Sequence, residues 1–283
     1  MKQVAVISGK GGTGKTTFSA TIHAMEGGVI ADCDVDAPNL HIILKPQILS
    51  SEEFIASKKA RILRERCSGC GLCYELCRFG AVELDDGYSI DEKKCEGCAF
   101  CFNACPEKAI EMEETKTGDL YTSKTKWGYF VHARLKPGEE NTGRLVTEVK
   151  NRAKEIAEKN SNGYLIVDSA PGVGCPVMAS LTGVDAAIIV TEPTASGLND
   201  MMRAIDLCEH FKIEPFVIVN KYDLNENVTA EIRGFCEDNE IEFVGAIPFD
   251  ETIPKQIANL EFPFRGEAAD KMEKYWKKVK GVL

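Results

Sequence analysis

The chain has 283 residues, of which 44% are hydrophobic, and this length supports one large domain together with a small one. Its formal net charge of −10 argues against a nucleic-acid partner, because phosphate contacts need clustered Lys and Arg. Residues 1–9 do not resemble a secretion signal and no apolar run approaches the roughly 18 residues of a membrane span, so we expect a cytoplasmic protein that does not bind membranes.

A glycine-rich loop follows the first predicted strand, Val4–Ser8, and precedes a predicted helix, Thr16–Met25. Residues 9–16 match the phosphate-binding pattern G-x-x-x-x-G-K-[ST]. In such a loop the backbone N–H groups surround phosphate oxygens, Lys15 supplies positive charge and the Thr16 hydroxyl binds Mg²⁺. The predicted nucleotide-binding residues are Gly11, Gly12, Thr13, Gly14, Lys15, Thr16 and Thr17.

Three acids follow the second predicted strand, residues 28–31. Asp32, Asp34 and Asp36 alternate, so we expect them on one side of the chain at the carboxyl edge of a sheet. A divalent cation would relieve the repulsion among these carboxylates, and one of them can instead orient the water that attacks a γ-phosphate.

Two cysteine runs with the spacing C-x2-C-x2-C-x3-C come next, and the second begins 28 residues after the first. This repeat indicates an internal duplication. The spacing is typical of bacterial ferredoxins with two [4Fe-4S] clusters, in which the fourth cysteine of each run ligates the other cluster. It assigns Cys67, Cys70, Cys73 and Cys105 to one cluster, and Cys95, Cys98, Cys101 and Cys77 to the other. Structural zinc also uses C-x-x-C pairs, but it does not explain four-cysteine runs duplicated in this register.

So small a segment cannot form a large apolar core, and we expect it to depend on its clusters for folding. Its polar flanks suit insertion into a surface loop of the nucleotide-binding domain. The predicted organisation is residues 1–57 as the first part of that domain, 58–115 as the inserted ferredoxin-like domain, and 116–283 as the second part.

A helical pattern over residues 142–160 leads into the predicted strand Tyr164–Asp168, which ends in an acid. In a nucleotide site Asp168 would hold a magnesium-bound water. A later strand, Phe216–Val219, leads into residues 220–223, which fit the N-K-x-D pattern that reads guanine. These residues allow GTP as well as ATP.

Residues 10–17, KGGTGKTT, resemble the phosphate loop of the MinD/ParA/Mrp ATPases and of the related nitrogenase iron protein, and the whole chain resembles MinD-superfamily members with an inserted ferredoxin domain. The resemblance implies a doubly wound, mostly parallel α/β sheet, Mg²⁺-dependent ATP hydrolysis, and a dimer of identical or related chains.

The resemblance also implies roles for single residues. Lys10 would reach the partner's nucleotide, Asp34 would orient the attacking water, and Asp168 would lie on the Mg²⁺ side. Asn220, Pro248 and Asp250 would hold adenine, which favours ATP over GTP. On this basis the catalytic residues are Lys10, Lys15 and Asp34, and the Mg²⁺-site residues are Thr16, Asp34 and Asp168.

Two further segments allow more than one interpretation. Cys175 lies seven residues after Asp168, where the iron protein has a cysteine that binds a cluster shared between subunits. That arrangement needs a second cysteine from each subunit, and none lies between Cys105 and Cys175; the simpler interpretation is a small thiol at a glycine-rich turn. The segment 266–283 is amphipathic, and MinD uses such a helix on membranes, but a helix packed on the sheet is the more ordinary structure.

The leading functional hypothesis is an ATP-driven iron–sulfur protein whose nucleotide state controls electron delivery from two [4Fe-4S] clusters to a partner protein. An alternative is a cluster carrier or assembly scaffold like Mrp, which would donate clusters to an acceptor. A ParA-like role in positioning cargo or DNA would need a basic surface or a membrane anchor.

Overall fold

The structure is a computed structural model that describes residues 1–139, 143–263 and 265–283. It divides into two compact units. The larger unit comprises Met1–Glu52, Leu120–Leu135 and Glu140–Leu283, and the smaller unit comprises Glu53–Asp119 and Lys136–Glu139.

The strands are β1 (Lys2–Ile7), β2 (Gly28–Asp32), β3 (Gln47–Ile62), β4 (Val82–Asp85), β5 (Gly87–Ile90), β6 (Ile110–Lys124), β7 (Gly128–Leu135), β8 (Tyr164–Asp168), β9 (Ala186–Thr191), β10 (Glu214–Asn220) and β11 (Glu242–Ile247). The helices are α1 (Lys15–Glu26), α2 (Leu40–Leu44), α3 (Leu72–Leu76), α4 (Phe100–Ala104), α5 (Arg144–Lys159), α6 (Cys175–Leu181), α7 (Ala195–Phe211), α8 (Glu226–Asp238), α9 (Thr252–Ala258) and α10 (Glu267–Lys280). Helix α5 matches the pattern predicted over residues 142–160, apart from residue 142, which lies outside the described residues.

The main sheet has the strand order β11-β10-β9-β1-β8-β2-β7-β6-β3. All pairings between neighbours from β11 to β7 are parallel. The predicted doubly wound, mostly parallel α/β sheet is therefore confirmed. The domain bounds predicted at residues 58 and 115 fall within the long strands β3 and β6, each of which contributes residues to both units, and not within loops.

The central strands are apolar at consecutive positions because both faces of the sheet are covered. Val4 and Val6 of β1 join a core cluster with side chains from α1, α2 and α10, and the alternate residues Ala5 and Ile7 are also buried. Helix α10 supplies Trp276 to this cluster, so its apolar face packs on the core. Among the described residues, no helix is long and apolar enough to cross a membrane.

The smaller unit repeats its backbone at the interval seen in the sequence. Helix α4 begins 28 residues after α3. The hydrogen bond from Leu63 N to Ala109 O (2.7 Å) has its counterpart from Asp91 N to Ala81 O (2.8 Å). Positive φ angles recur in the same pairs, which are Gly69 and Gly97, Gly71 and Ala99, and Gly80 and Lys108. The duplication thus extends from the cysteine spacing to the conformation of the loops that carry it.

Candidate nucleotide site and cysteine unit

The glycine-rich loop lines a cavity in the larger unit, between the end of β1 and the start of α1. The sequence-predicted residues that line it are Lys10, Gly11, Gly12, Thr13, Gly14, Lys15, Thr16, Thr17 and Asp34. Asn39, Ile42, Ile43 and Pro171 complete much of its wall. Helix α1 begins at Lys15, so the loop backbone and the helix amino terminus present N–H groups that suit an anion.

Lys15 and Asp168 form a buried ion pair at the base of this site. The Lys15 Nζ lies 2.9 Å from Asp168 Oδ1, and the Ser19 hydroxyl donates to the same oxygen at 2.7 Å. The other oxygen, Asp168 Oδ2, is buried and has no hydrogen-bond partner among the described residues. Ser19 is a member of this cluster that sequence reasoning missed; its position on α1, four residues after Lys15, is the signal that could have identified it.

The three acids after β2 do not share one environment. Asp32 is the last residue of β2 and is opposite Asp168 in the β2–β8 register. Burial and then the nearby Asp168 raise the pKa of Asp32 well above its usual value. Burial also raises the pKa of Asp34, although Lys15 opposes the shift. Asp36 is exposed, so the three acids differ in burial; β2 ends at Asp32, and the chain beyond it is no longer bound to strand alternation.

Lys10 binds a carboxylate of its own chain. Its Nζ lies 3.0 Å from Glu192 Oε2 and donates to Thr194 Oγ1 at 3.2 Å. The other Glu192 oxygen, Oε1, accepts from Lys221 Nζ at 2.5 Å, and Lys221 Nζ also donates to Gly12 O at 3.1 Å. Sequence reasoning missed Glu192 and considered Lys221 only as part of the N-K-x-D pattern, although each follows the carboxyl end of a parallel strand, where ligand-binding residues of such sheets cluster.

A second cavity adjoins the loop on the side of β10 and β11. Asn220, Pro248 and Asp250 line it, with Phe249 and Ile253, and it shares Gly12, Gly14 and Thr17 with the first cavity. Asn220 Nδ2 donates to Thr13 O at 2.8 Å, so this side chain supports the phosphate loop. Asp223, the acid of the N-K-x-D pattern, accepts from Phe249 N at 2.7 Å. One oxygen of this carboxylate therefore helps to position the loop that follows Pro248.

The smaller unit brings cysteines of both runs together. One cavity is lined by Cys67, Cys70 and Cys73 of the first run and by Cys105, the last cysteine of the second run. Cys77, Cys95 and Cys101 lie in or against the same small apolar cluster, and Cys98 is exposed.

Backbone N–H groups point at the fourth cysteine of each run. Ala81 N donates to Cys77 Sγ and Ala109 N donates to Cys105 Sγ, both at 3.3 Å. Burial raises the pKa of Cys77, but backbone hydrogen bonds from residues 79–82 outweigh it and leave that pKa below its usual value. Donors at these sulfurs stabilise the thiolate, which is the form that binds metal.

No group of three or more His, Cys, Asp or Glu side chains converges on a single-ion site within the described part of the chain. Cys175, at the start of α6, is exposed, whereas Cys33, Cys208 and Cys236 are buried. Burial raises the pKa of Cys33 and Cys208 to about 12 and that of Cys236 to about 11, so these three thiols stay protonated at neutral pH.

Comparison with known proteins places the larger unit's architecture in a defined family. Residues 4–264 match the CobQ/CobB/MinD/ParA nucleotide binding domain. The chain is 34% identical to an uncharacterised protein of Methanocaldococcus jannaschii over 261 residues, which cover 91% of this chain and 88% of that protein. It is 23% identical to an iron-sulfur cluster carrier protein of Pyrococcus horikoshii over 271 residues, or 88% of this chain and 74% of the carrier.

Among solved structures, the fold is similar to that of the septum site-determining protein MinD from Pyrococcus horikoshii complexed with Mg-ADP. The TM-score is 0.58 at 17% identity, with 99% of this chain and 96% of that one covered. The fold, the phosphate loop and the family match agree, and the chain belongs to the CobQ/CobB/MinD/ParA family as a P-loop ATPase.

Proposed function

We propose that this ATPase carries two [4Fe-4S] clusters in its smaller unit and that the bound nucleotide controls electron delivery from them to a partner protein. The observation that carries the proposal is the cavity lined by three cysteines of the first run and Cys105 of the second. Crossed ligation of this kind is what the bacterial two-cluster spacing requires.

The thiolates fit a four-iron cluster better than a single zinc ion. Zinc needs four ligands that converge on one point, whereas a cube takes one thiolate for each iron, so its ligands surround a space. The N–H groups of Ala81 and Ala109 at the fourth cysteines add the hydrogen bonds to sulfur that tune such clusters. When bound, the clusters would supply one-electron chemistry.

In the larger unit, Lys15 and Thr16 would bind the outer phosphates and Mg²⁺, and the free oxygen of Asp168 would hold a magnesium-bound water. Asp34 would orient the attacking water. Asn220, Pro248 and Asp250 would form the adenine side, and Lys10 would act on the nucleotide of a second, identical or related chain.

The link between nucleotide and clusters rests on the order of elements along the chain. Asp34 follows β2, and the next strand, β3, contributes residues to both units. Segments that order around a γ-phosphate and relax on hydrolysis are a common way for nucleotide state to move neighbouring elements. A change at Asp34 would therefore reach the smaller unit along the chain, through α2 and β3.

The proposal is tested by anaerobic purification, iron analysis and EPR, followed by reoxidation kinetics. About eight iron atoms per chain are expected for two cubes. With reduced clusters, the rate of electron transfer to an acceptor dye should differ between ATP and ADP, and Lys15→Ala should abolish the difference. Lys274→Ala, at an exposed position on α10, is the matched control. Equal rates under all conditions would refute control of electron transfer by the nucleotide. Absence of iron–sulfur signals would refute the presence of the clusters.

A cluster carrier is the second candidate, and the likeness to the Pyrococcus horikoshii carrier protein favours it. In that case the chain would donate intact clusters and not electrons. Incubation with an apo-ferredoxin separates the two: transfer of iron and sulfide to the acceptor supports the carrier, whereas retention of both on this chain supports the electron gate.

A further inference from the structure

Glu192 lies directly after β9 and binds two lysines at once. One oxygen contacts Lys10 and the other contacts Lys221, at 3.0 and 2.5 Å. The Glu192 side chain is only 14% exposed, and the lysine side chains are 30% and 27% exposed. This is a half-buried cluster of two positive charges and one negative charge beside the phosphate loop.

The carboxylate is ionised in this setting. Burial raises the pKa of Glu192, but hydrogen bonds from Lys221 and Lys10 lower it by more, so the pKa lies below its usual value. Lys10 is held further by Thr194, whose hydroxyl also accepts from Gly197 N at the start of α7. Lys10 is therefore held by groups of its own chain and is not free in solvent.

We propose that Glu192 is the counter-ion of Lys10 before a nucleotide binds, and that Lys10 then exchanges this carboxylate for a nucleotide phosphate. The inference deepens the proposed function, since it rests on the role given there to Lys10. It names the residue that must release Lys10 before that role begins.

Because one carboxylate binds two lysines, the release of Lys10 has a small free-energy cost. Breaking a buried ion pair is normally costly because one charge is left uncompensated. Here Glu192 keeps Lys221 as its partner when Lys10 departs, and Lys221 keeps its bond to Gly12 O. At Lys10, a triphosphate with several negative charges can then replace one oxygen of a carboxylate that Lys221 shares.

The test is a double-mutant cycle on binding of the non-hydrolysable analogue AMPPNP with Mg²⁺. Glu192→Gln removes the competitor, so it should tighten AMPPNP binding about 2- to 5-fold, the upper part of the range for a partly exposed ion pair. Lys10→Met combined with Glu192→Gln should lose this gain, because the gain depends on Lys10. Glu192→Asp, whose shorter side chain keeps the charge, should restore the wild-type affinity at least in part.

Glu26→Gln is the matched control, because Glu26 also pairs with a lysine at similar exposure, Lys280 on α10, away from the loop. It should leave AMPPNP affinity unchanged. Far-UV circular dichroism and the melting temperature without nucleotide establish that each variant is folded.

Measurement at decreasing protein concentration distinguishes a phosphate of the chain's own nucleotide from one bound to a second copy. If the gain vanishes when sedimentation shows only monomers, Lys10 acts on a second copy; if it persists, Lys10 acts on its own nucleotide. Unchanged or weaker binding by Glu192→Gln, or a gain that survives Lys10→Met, would overturn the inference. A wild-type chain that binds no AMPPNP would instead overturn the proposed nucleotide site.

Discussion

At the scale of single residues, the phosphate loop is held by contacts that reach far along the chain. Asn220 supports Thr13 from the end of β10, and Lys221 supports Gly12. Gly14 lies against Asn220 and has a φ of +91°, a conformation that side chains rarely adopt. The loop's shape therefore depends on glycine at this position as well as on its distant supports.

We expect Gly14→Ala to lower the free energy of unfolding by about 2–3 kcal/mol. A Cβ here would clash with the Asn220 amide and break its bond to Thr13 O, in addition to the backbone strain. Urea denaturation without nucleotide measures the effect. Gly11→Ala is the control, since no atom of the described residues lies within 4 Å of a Cβ added there, and it should be nearly neutral. Equal losses in both variants would contradict the role of Asn220.

The two cysteine loops differ at one equivalent glycine. Gly69 and Gly97 both have positive φ, but a Cβ added at Gly97 would clash with a backbone atom, Lys58 O, whereas a Cβ at Gly69 would meet no atom of the described residues within 4 Å. Gly69→Ala should cost about 1 kcal/mol and Gly97→Ala clearly more, because backbone cannot shift cheaply. Iron per purified chain is the measurement: we expect a greater loss for Gly97→Ala, and equal iron contents would refute the difference.

At the scale of elements, α10 closes the core of the larger unit. Trp276 is fully buried, and its Nε1 donates to Glu26 Oε1 at 2.8 Å, where Lys280 also binds. Met272 and Val279 are buried on the same face. The lysines of this helix lie around a face that already has a partner, so the amphipathic pattern reflects packing on the sheet.

Trp276→Ala should lower the free energy of unfolding by about 3–5 kcal/mol, as expected for a fully buried aromatic side chain. Lys274→Ala, at an exposed position, should change it by less than about 0.5 kcal/mol. Thermal or urea unfolding measures both. The folded wild-type chain should not sediment with anionic vesicles; if it did, and Trp276 proved dispensable for stability, the packed role of α10 would be refuted.

At the scale of the whole molecule, the two units are stabilised differently. The larger unit has an extended apolar core on its sheet, whereas the core cluster described in the smaller unit contains Ala60, Ala81, Cys95 and Ile110. Several cysteines pack against that cluster, so the proposed cluster ligands are also part of this small core. The smaller unit has little apolar area with which to offset the conformational entropy of its loops.

Removal of iron by a chelator under reducing conditions should therefore unfold the smaller unit and spare the larger one. Limited proteolysis should cut within residues 53–119, while ADP binding and the far-UV signal of the larger unit are retained. A chelated chain that resists cleavage there would show that the apolar cluster suffices, and loss of ADP binding would show that the units are not independent.

Much of the fold and family followed from local patterns. Residues 9–16, between a strand and a helix, predicted the phosphate loop, and the 28-residue repeat predicted a duplicated cysteine unit whose loops recur at that interval. The alternation of Asp32, Asp34 and Asp36 did not predict their different burial, because β2 ends at Asp32. The predicted domain bounds fall within the strands β3 and β6, since polar composition does not distinguish a surface loop from a long strand.

The sequence by itself determined the ATPase family and the α/β sheet, because contiguous motifs and apolar runs indicate them without knowledge of long-range contacts. Only the tertiary structure decided which charges meet: Lys15 with Asp168 and Ser19, Lys10 with Glu192, and Asp223 with Phe249 N. Those partners are far apart in the chain and meet because parallel strands end at one edge of the sheet. No spacing rule encodes such a meeting, since it arises from strand order, which long-range packing sets.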